Sequence, residues 1–403
     1  MKIRTLLSII LLLATITLNA QRNRNTSVTA SSLEGYKFTP IIELKATSVK
    51  DQSRTGTCWC FATTSFIESE LLRMGKGEFD LSEMWIVRHN YADRLRDNFE
   101  KEGKGNLGPG SVGHDWIVEF VKTGIVPDEV YTGLNYGTPN HNHSELQAFV
   151  NAIATVPLRS RKESDEYLKN VDAVLDTYLG KKPETFTYKG VSYSPKSFTA
   201  SLGINPDNYV EITSFTLFPF YSQGSLPIPD NWRNMDYYNV PLDELMQIME
   251  YSLTNGYTVA WDGDVSERGY SESVGIAIIP ELENVNDYPA ADKARLGKMS
   301  LEERTAEAYK FEKPFPEVKV TQEYRQEGFD NRRTTDDHLM HLTGMVKDLN
   351  GTIYFITKNS HGTERKAYGG YLNMSENYVR AKTIAIMVHK DAIPAAIKSK
   401  LGL

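Results

Sequence analysis

Cysteine is nearly absent from this chain of 403 residues, which contains only Cys58 and Cys60. So few cysteines exclude a disulfide framework and any zinc module built on cysteine. Positive charge is not in excess either: the net charge is −7, so nucleic acid is not an expected partner. Glycine and proline are not enriched, which excludes collagen-like and low-complexity classes. With 40% hydrophobic residues, the chain is long enough to bury a large core.

Long apolar runs are confined to the N-terminus. Lys2 and Arg4 precede an apolar run at residues 6–18, and the small residue Ala20 follows. This pattern predicts a secretory signal peptide over residues 1–20, and hence an exported protein, periplasmic or secreted. The alternative is a membrane anchor, but a run of about 13 residues is short for a ~30 Å hydrocarbon core. We therefore expect no stable membrane insertion once the signal is removed.

In the rest of the chain, residues 21–403, the spacing of apolar residues changes from the first part to the last. Apolar spacing predicts helices in the first part and strands in the last part, so the order favours an α+β protein with a helical lobe packed against an antiparallel sheet lobe. The segment at about 157–256 is predicted to be a large, mainly helical insertion into this one domain. The helices are predicted at 58–74, from about 82, and at 112–122, and the late strands at 339–347, 352–358 and 381–389.

Cys58 lies where a short, glycine-containing turn meets the start of a predicted helix. The unpaired N–H groups and the dipole at a helix start favour an anion. We therefore expect a lowered thiol pKa and a reactive thiolate at Cys58. The simpler alternative is a buried, inert cysteine. Cys60 points away from Cys58 on the same helix and is expected to be a packing residue.

The residues around Cys58 resemble those of papain-like cysteine peptidases. Gln52 precedes Cys58 by six positions, Trp59 follows it, and the pairs Asp337-His338 and Asn359-Ser360 come later in the family's order. The resemblance implies that Cys58 is the nucleophile, His338 the base and Asn359 the group that orients it. It implies that the Gln52 amide and the Cys58 backbone N–H bind the oxyanion. The implied fold is papain-like, the substrates are peptides, the intermediate is a thioester, and no cofactor or metal is needed.

The number of residues between Cys58 and His338 indicates which branch of the family the sequence resembles. His338 lies 280 residues after Cys58, whereas papain-type enzymes separate them by about 130–150. The long spacing resembles the bleomycin hydrolase and aminopeptidase C branch, which implies aminopeptidase-like activity and a hexameric homo-oligomer. Further similarity to this branch lies at 66–73, 81–84, 260–265 and 370–372.

Two departures from the branch keep other functions open. His361 stands where the family has a tryptophan that shields the Asn–His hydrogen bond, so a catalytically impaired peptide-binding homologue is one alternative. The chain ends at Leu403, so the C-terminal arm that restricts the branch to free N-termini is expected to be short or missing. Endopeptidase or dipeptidase action is the other alternative.

The remaining histidines and acids give weaker signals. His338, His341 and His361 suggest a metal site, but His338 and His341 face opposite sides of a predicted strand, which argues against one. The segment 141–143 is expected to be a solvated loop. Asp337 is either a residue that tunes His338 or an ordinary loop acid.

Overall fold

The computed structural model describes residues 35–403. The predicted signal peptide, residues 1–20, lies outside the described residues. The α-helices are α1 (Cys58–Arg73), α2 (Glu83–Glu100), α3 (Gly113–Thr123), α4 (Ser144–Ile153), α5 (Thr155–Ser160), α6 (Asp165–Leu179), α7 (Pro195–Leu202), α8 (Leu242–Thr254), α9 (Ala290–Leu296), α10 (Leu301–Ala308), α11 (Gln322–Asp330), α12 (Glu376–Lys382) and α13 (Ala395–Leu401). The strands are β1 (Thr39–Glu43), β2 (Phe186–Tyr188), β3 (Val191–Tyr193), β4 (Tyr209–Thr213), β5 (Gln223–Ser225), β6 (Asp236–Asn239), β7 (Val259–Gly263), β8 (Tyr270–Ser271), β9 (Ile276–Ala277), β10 (His338–Lys347), β11 (Ile353–Lys358), β12 (Tyr371–Ser375) and β13 (Thr383–His389).

Local chemistry sets several helix ends. The hydroxyl of Ser82 accepts the Trp85 backbone N–H at 3.0 Å and so starts α2. Ser300 and Glu303 form a reciprocal capping box at the start of α10, as their spacing predicts. Gly180 ends α6 at φ 89°, a backbone angle that residues with a side chain rarely adopt.

One large sheet organises the molecule. Its strands run in the order β5-β6-β4-β13-β7-β10-β11-β12-β9-β8, and β1 pairs with β10. Most pairs are antiparallel, whereas β4–β6 and β12–β9 are parallel. β10 is central because β7 and β11 flank it, with His341 opposite Ala260 on one side and Lys358 on the other.

The two faces of the sheet are covered by different parts of the chain. Ala260, Leu339 and Met387 face the helical lobe and pack in a cluster with α1 and α2. The alternate residues, such as Trp261 and Met340, face the opposite way and pack with α8 and α13. This helical lobe against a mainly antiparallel sheet is the α+β arrangement that the sequence predicts.

The segment 157–256 differs in detail from a mainly helical insertion. It contributes helices, but β4 and β6 join the main sheet, and β2 and β3 form a separate hairpin. β4 pairs with β13 through Ile212 and Ile386, so part of the segment extends the sheet instead of sitting outside it. Short strands with mixed burial give no clear two-residue period, which is why they were not predicted.

Two further observations concern the whole described region. No helix within residues 35–403 is long and apolar enough to cross a membrane.

Leu403 packs with Leu401 against the cluster that covers the α8 face of the sheet, which is the face away from α1.

Candidate active site

Cys58 is the first residue of α1, and its side chain remains partly exposed. Two backbone N–H groups donate to its sulphur, those of Trp59 and Leu339. Leu339 directly follows His338, so this contact joins the start of α1 to the start of β10. The structure therefore brings the predicted nucleophile and the predicted base to one place.

The pKa of the Cys58 thiol differs from the sequence prediction. Burial raises it to about 12, the charges of Asp336 and Asp230 act in the same direction, and the N–H groups of Leu339 and Trp59 lower it only in part. The prediction of a lowered pKa is therefore wrong for the protein without substrate. The prediction considered only the helix N-terminus, which lowers a thiol pKa, and the acidic, buried surroundings of Cys58 raise the pKa by more.

His338 and Asn359 form the second part of the site. His338 Nε2 lies 2.8 Å from Asn359 Oδ1, and both residues are buried. The Asn359 amide nitrogen donates to Glu272 Oε1 at 2.7 Å and to the Tyr270 hydroxyl at 3.1 Å. Because that network directs Oδ1 toward the imidazole, His338 Nε2 carries a proton and its Nδ1 is the nitrogen free to accept one.

Electrostatics at His338 favour its neutral form. Burial lowers the pKa of His338, while the hydrogen bond to Asn359 and the charges of Glu272 and Asp337 raise it by less. Asp337 thus tunes His338, and it also accepts the Val265 backbone N–H at 2.9 Å. A raised thiol pKa and a lowered imidazole pKa both favour the uncharged forms of Cys58 and His338, in contrast to the reactive thiolate that the sequence predicts at Cys58.

Gln52 lies buried on the same side of the site. Its backbone N–H donates to the Ser360 carbonyl at 2.8 Å, and its Oε1 accepts the Ser360 hydroxyl at 2.7 Å. Its Nε2 donates one hydrogen to the Thr55 carbonyl at 2.9 Å. The amide is therefore fixed in orientation, and its second N–H is left to donate to a substrate oxygen.

His361 covers His338 at the position where the family has its shielding tryptophan, whereas the residue that holds it, Glu272, was not predicted from the sequence. The His361 ring stacks on the His338 ring with centroids 4.9 Å apart and a tilt of 32°. Glu272 holds it there by accepting from His361 Nδ1 at 2.5 Å, and it also forms an ion pair with Lys366. Burial would raise the pKa of Glu272, but the hydrogen bonds from His361 and Lys366 outweigh it and lower the pKa to about 2.

The other sequence candidates lie outside the reactive centre. Cys60 is fully buried, and its thiol donates to the Glu83 carbonyl at 3.2 Å, as expected for a packing residue. His341 Nδ1 lies 2.9 Å from the Ser65 hydroxyl, away from His338. Across the described part of the chain, no group of three or more His, Cys, Asp or Glu is arranged to hold a metal.

The segment 141–143 is not the solvated loop that the sequence suggested. His143 is only 2% exposed, and its backbone N–H donates to the Arg54 carbonyl at 3.1 Å. Burial lowers the pKa of His143 to about 3, so it is neutral at physiological pH. The segment packs beside the turn that leads to Cys58, and its burial comes from contacts distant in sequence.

Known proteins share part of this sequence and this fold. Residues 42–200 match the model of the papain family cysteine protease. The fold is similar to that of PepW from Lactobacillus rhamnosis HN001 (DR20), with a TM-score of 0.66 and 19% identity over 90% of this chain and 84% of that chain. This chain is thus similar to the papain family over residues 42–200, and its fold is similar to that of PepW.

Two other similarities to papain-like proteins are more limited. The probable cysteine protease RDL3 of Arabidopsis thaliana is 41% identical over 86 residues, which are 21% of this chain. The alignment spans only 20% of the length of that curated relative. Bromelain from Ananas comosus, solved with the E64 inhibitor, aligns over 85% of this chain and 94% of its own at 12% identity, with a TM-score of 0.36 that is too low to bear on the fold.

Proposed function

We propose that this papain-like protein is a cysteine peptidase. The observation that carries the proposal is the His338–Asn359 hydrogen bond of 2.8 Å, next to the Leu339 N–H that binds the Cys58 sulphur. Cys58, His338 and Asn359 supply the three parts that nucleophilic catalysis needs, which are a nucleophile, a base and a group that orients the base.

The reaction follows from these positions. A peptide carbonyl carbon forms a bond with Cys58 Sγ as the thiol proton passes to His338 Nδ1. The resulting oxyanion accepts hydrogen bonds from the Gln52 amide and the Cys58 backbone N–H. The C–N bond then breaks, His338 returns its proton to the leaving amine, and a thioester remains. Water attacks the thioester with His338 as base, which releases the acid and restores the thiol.

The test of this proposal compares the two cysteines. Cys58→Ala is expected to abolish peptide hydrolysis under reducing conditions and labelling by an epoxide-type thiol inhibitor. Cys60→Ala removes the other thiol, which lies in the core, and serves as the matched control that keeps the labelling. Hydrolysis by Cys58→Ala at the wild-type rate, or no labelling of the folded wild type at Cys58, would contradict the proposal.

Within the peptidases, we propose aminopeptidase-like action of the bleomycin hydrolase and aminopeptidase C kind. The support is the long interval between Cys58 and His338 together with the extent of the PepW-like fold. Acetylating the substrate's N-terminus is expected to abolish cleavage, whereas efficient cleavage of acetylated peptides would favour an endopeptidase.

A peptide-binding protein on the same scaffold is the second candidate, because His361 replaces the expected tryptophan. It predicts a folded protein that binds peptides but leaves Cys58 unlabelled. Export and hexamer formation are separate proposals that rest on the residues 1–20 and on the family resemblance. N-terminal sequencing of the mature protein tests the first, and light scattering tests the second.

A further inference from the structure

Three carboxyl groups interact electrostatically with the Cys58 thiol. Asp336 and Asp230 are close enough for their charges to raise the pKa of the Cys58 thiol, and the thiol acts in turn on Asp262. The three acids come from separate segments, between β5 and β6, from β7, and just before β10. We call them the acidic cluster. The reaction proposed above uses none of them.

The cluster lines the space beside the nucleophile. Asp262 pairs with Leu339 across β7 and β10, and it faces α1 as Ala260 does two residues earlier. Asp230 closes the cluster from the other wall, where its carboxylate lies against Gly110. A Cβ at Gly110 would lie 2.1 Å from Asp230 Oδ2, so a larger residue there would displace the Asp230 carboxylate.

The cluster lacks the partners that buried acids normally have. Asp262 is only 5% exposed. Its Oδ1 and the Oδ2 of Asp336 have no hydrogen-bond partner among the residues that the structure describes. The two carboxyls hydrogen-bond to each other, which requires a proton between them, and no other N–H or O–H group of the described residues donates to either one. Buried carboxyls without donors are costly, so a bound N–H group would be stabilised here.

Positive charge is missing here, although the protein supplies it to other buried acids. Arg233 pairs with Asp115 at 2.6 Å and with Glu119 at 2.6 Å. The largest charge effects on Asp262 and Asp336 all come from acidic groups or the Cys58 thiol, and Arg94 acts on Asp230 alone of the three. Burial raises the pKa of Asp336 to about 7 and that of Asp262 well above its usual range. These carboxyls are therefore neutralised by protonation and not by a basic side chain.

We propose that Asp230, Asp262 and Asp336 bind a positively charged group of the substrate next to the scissile bond. An ammonium or guanidinium group has the N–H donors that the two carboxyls lack, and it displaces the shared proton. This inference rests on the proposed peptidase function and defines its substrates. The cation has two possible sources, the α-amino group of a peptide's N-terminus and the side chain of a lysine or arginine.

Four peptides of equal length distinguish whether the bound cation is the α-amino group or a side chain. They combine a free or acetylated N-terminus with lysine or norleucine near the cleaved bond, and each enzyme is scored by the ratio of kcat/KM between charged and neutral peptides. The wild type is expected to prefer a charged peptide at least tenfold. The norleucine pair shows whether the α-amine is recognised, and the acetylated pair shows whether the side chain is recognised.

Isosteric variants identify the residues responsible. Asp262→Asn and Asp336→Asn keep the volume and remove the charge, and each is expected to bring the ratio close to one. Glu317→Gln makes the same change at an acid away from Cys58 that accepts hydrogen bonds from Ser375 and Ile279, and it should keep the wild-type ratio. A wild type without preference, or Asn variants that keep the preference, would overturn the inference.

A binding experiment keeps the two proposals apart. Calorimetry with Cys58→Ala and the four peptides measures affinity without turnover. Tighter binding of charged peptides without hydrolysis by the wild type would refute the peptidase proposal and support the acidic cluster. Hydrolysis by the wild type with equal binding of charged and neutral peptides would do the reverse.

Discussion

The imidazole of His361 stacks on that of His338, with ring centroids 4.9 Å apart. Glu272 holds His361 in place from behind, and the same carboxylate accepts from the Asn359 amide. His361 therefore covers the base with its ring face while its polar edge is paired. A polar residue can fill the place of an apolar shield when a carboxylate satisfies its N–H.

The first prediction concerns this cover. His361→Ala exposes the His338–Asn359 hydrogen bond to water and frees Glu272 from one partner. We expect kcat/KM to fall about tenfold, which corresponds to ~1.4 kcal/mol of transition-state stabilisation. His361→Trp restores an apolar face and is expected to lose less than the alanine variant. Steady-state kinetics on one neutral peptide checks both, and equal losses in the two variants would argue against shielding.

The second prediction concerns the charge of Glu272. That charge raises the pKa of His338, so Glu272→Gln, which keeps an acceptor but removes the charge, is expected to lower it. His338 must be neutral to accept the thiol proton, and the acidic limb of the pH profile of kcat/KM should therefore move to lower pH. A shift to higher pH would contradict this reading of the electrostatics. Glu327→Gln, at an exposed surface ion pair, is the control.

The third prediction concerns the oxyanion donor. Gln52→Ala is expected to reduce kcat by roughly 10²–10³ with little change in KM, because the donor acts mainly in the transition state. Ser360→Ala keeps the Gln52 amide but removes the 2.7 Å hydrogen bond that orients it, so its loss should be smaller. Rapid kinetics of acylation separates this step from thioester hydrolysis. A larger loss for Ser360→Ala than for Gln52→Ala would count against the assignment.

The fourth prediction concerns the pH dependence of substrate choice. Asp336 has a pKa raised to about 7 by burial and by the facing carboxyls, which are Asp230, Asp337 and Glu211, whereas its hydrogen bond with Asp262 lowers it. It is neutral below that pH and charged above it. The ratio of kcat/KM between charged and neutral peptides should thus rise as pH increases through 7. Taking the ratio cancels the titration of Cys58 and His338, and a ratio independent of pH would contradict the prediction.

The fifth prediction concerns stability. The folded pKa of Asp336 lies above the usual value of about 3.9. The folded state therefore holds the proton more tightly than the unfolded state, and the stabilising contribution is lost as pH rises through about 7. Asp336→Asn should be more stable than the wild type at pH 8, by on the order of 1 kcal/mol, and the difference should shrink at pH 5. Urea unfolding at the two pH values measures it.

Local features of this protein could be predicted from its sequence. The starts of α1 and α2, the end of α6 at Gly180 and the strands β10, β11 and β13 follow from short-range signals, such as a capping hydroxyl, a glycine or a two-residue period. Gln52, Cys58, His338 and Asn359 could be proposed as site residues because they lie in recognisable local motifs. The structure places His338 against Asn359, and Leu339, the residue after His338, against Cys58, while their catalytic roles stay predictions.

Features that depend on distant pairing could not be predicted. Glu272 meets His361 only because β8, β9 and β12 place their segments side by side. The acidic cluster draws Asp230, Asp262 and Asp336 from segments whose sequences give no sign of proximity. The thiol pKa was predicted in the wrong direction for the same reason, since burial and these carboxyls are properties of the folded chain.

The central position of β10 has a consequence for unfolding. The strand has ten residues and carries His338 at its first position, and β7, β11 and β1 all bond to it. Cys58 belongs to the helix that packs on this same strand. The two reactive groups are thus mounted on the part of the fold that local fraying does not reach. Denaturant should abolish activity only where the whole domain unfolds, so residual activity serves as a gauge of the folded fraction.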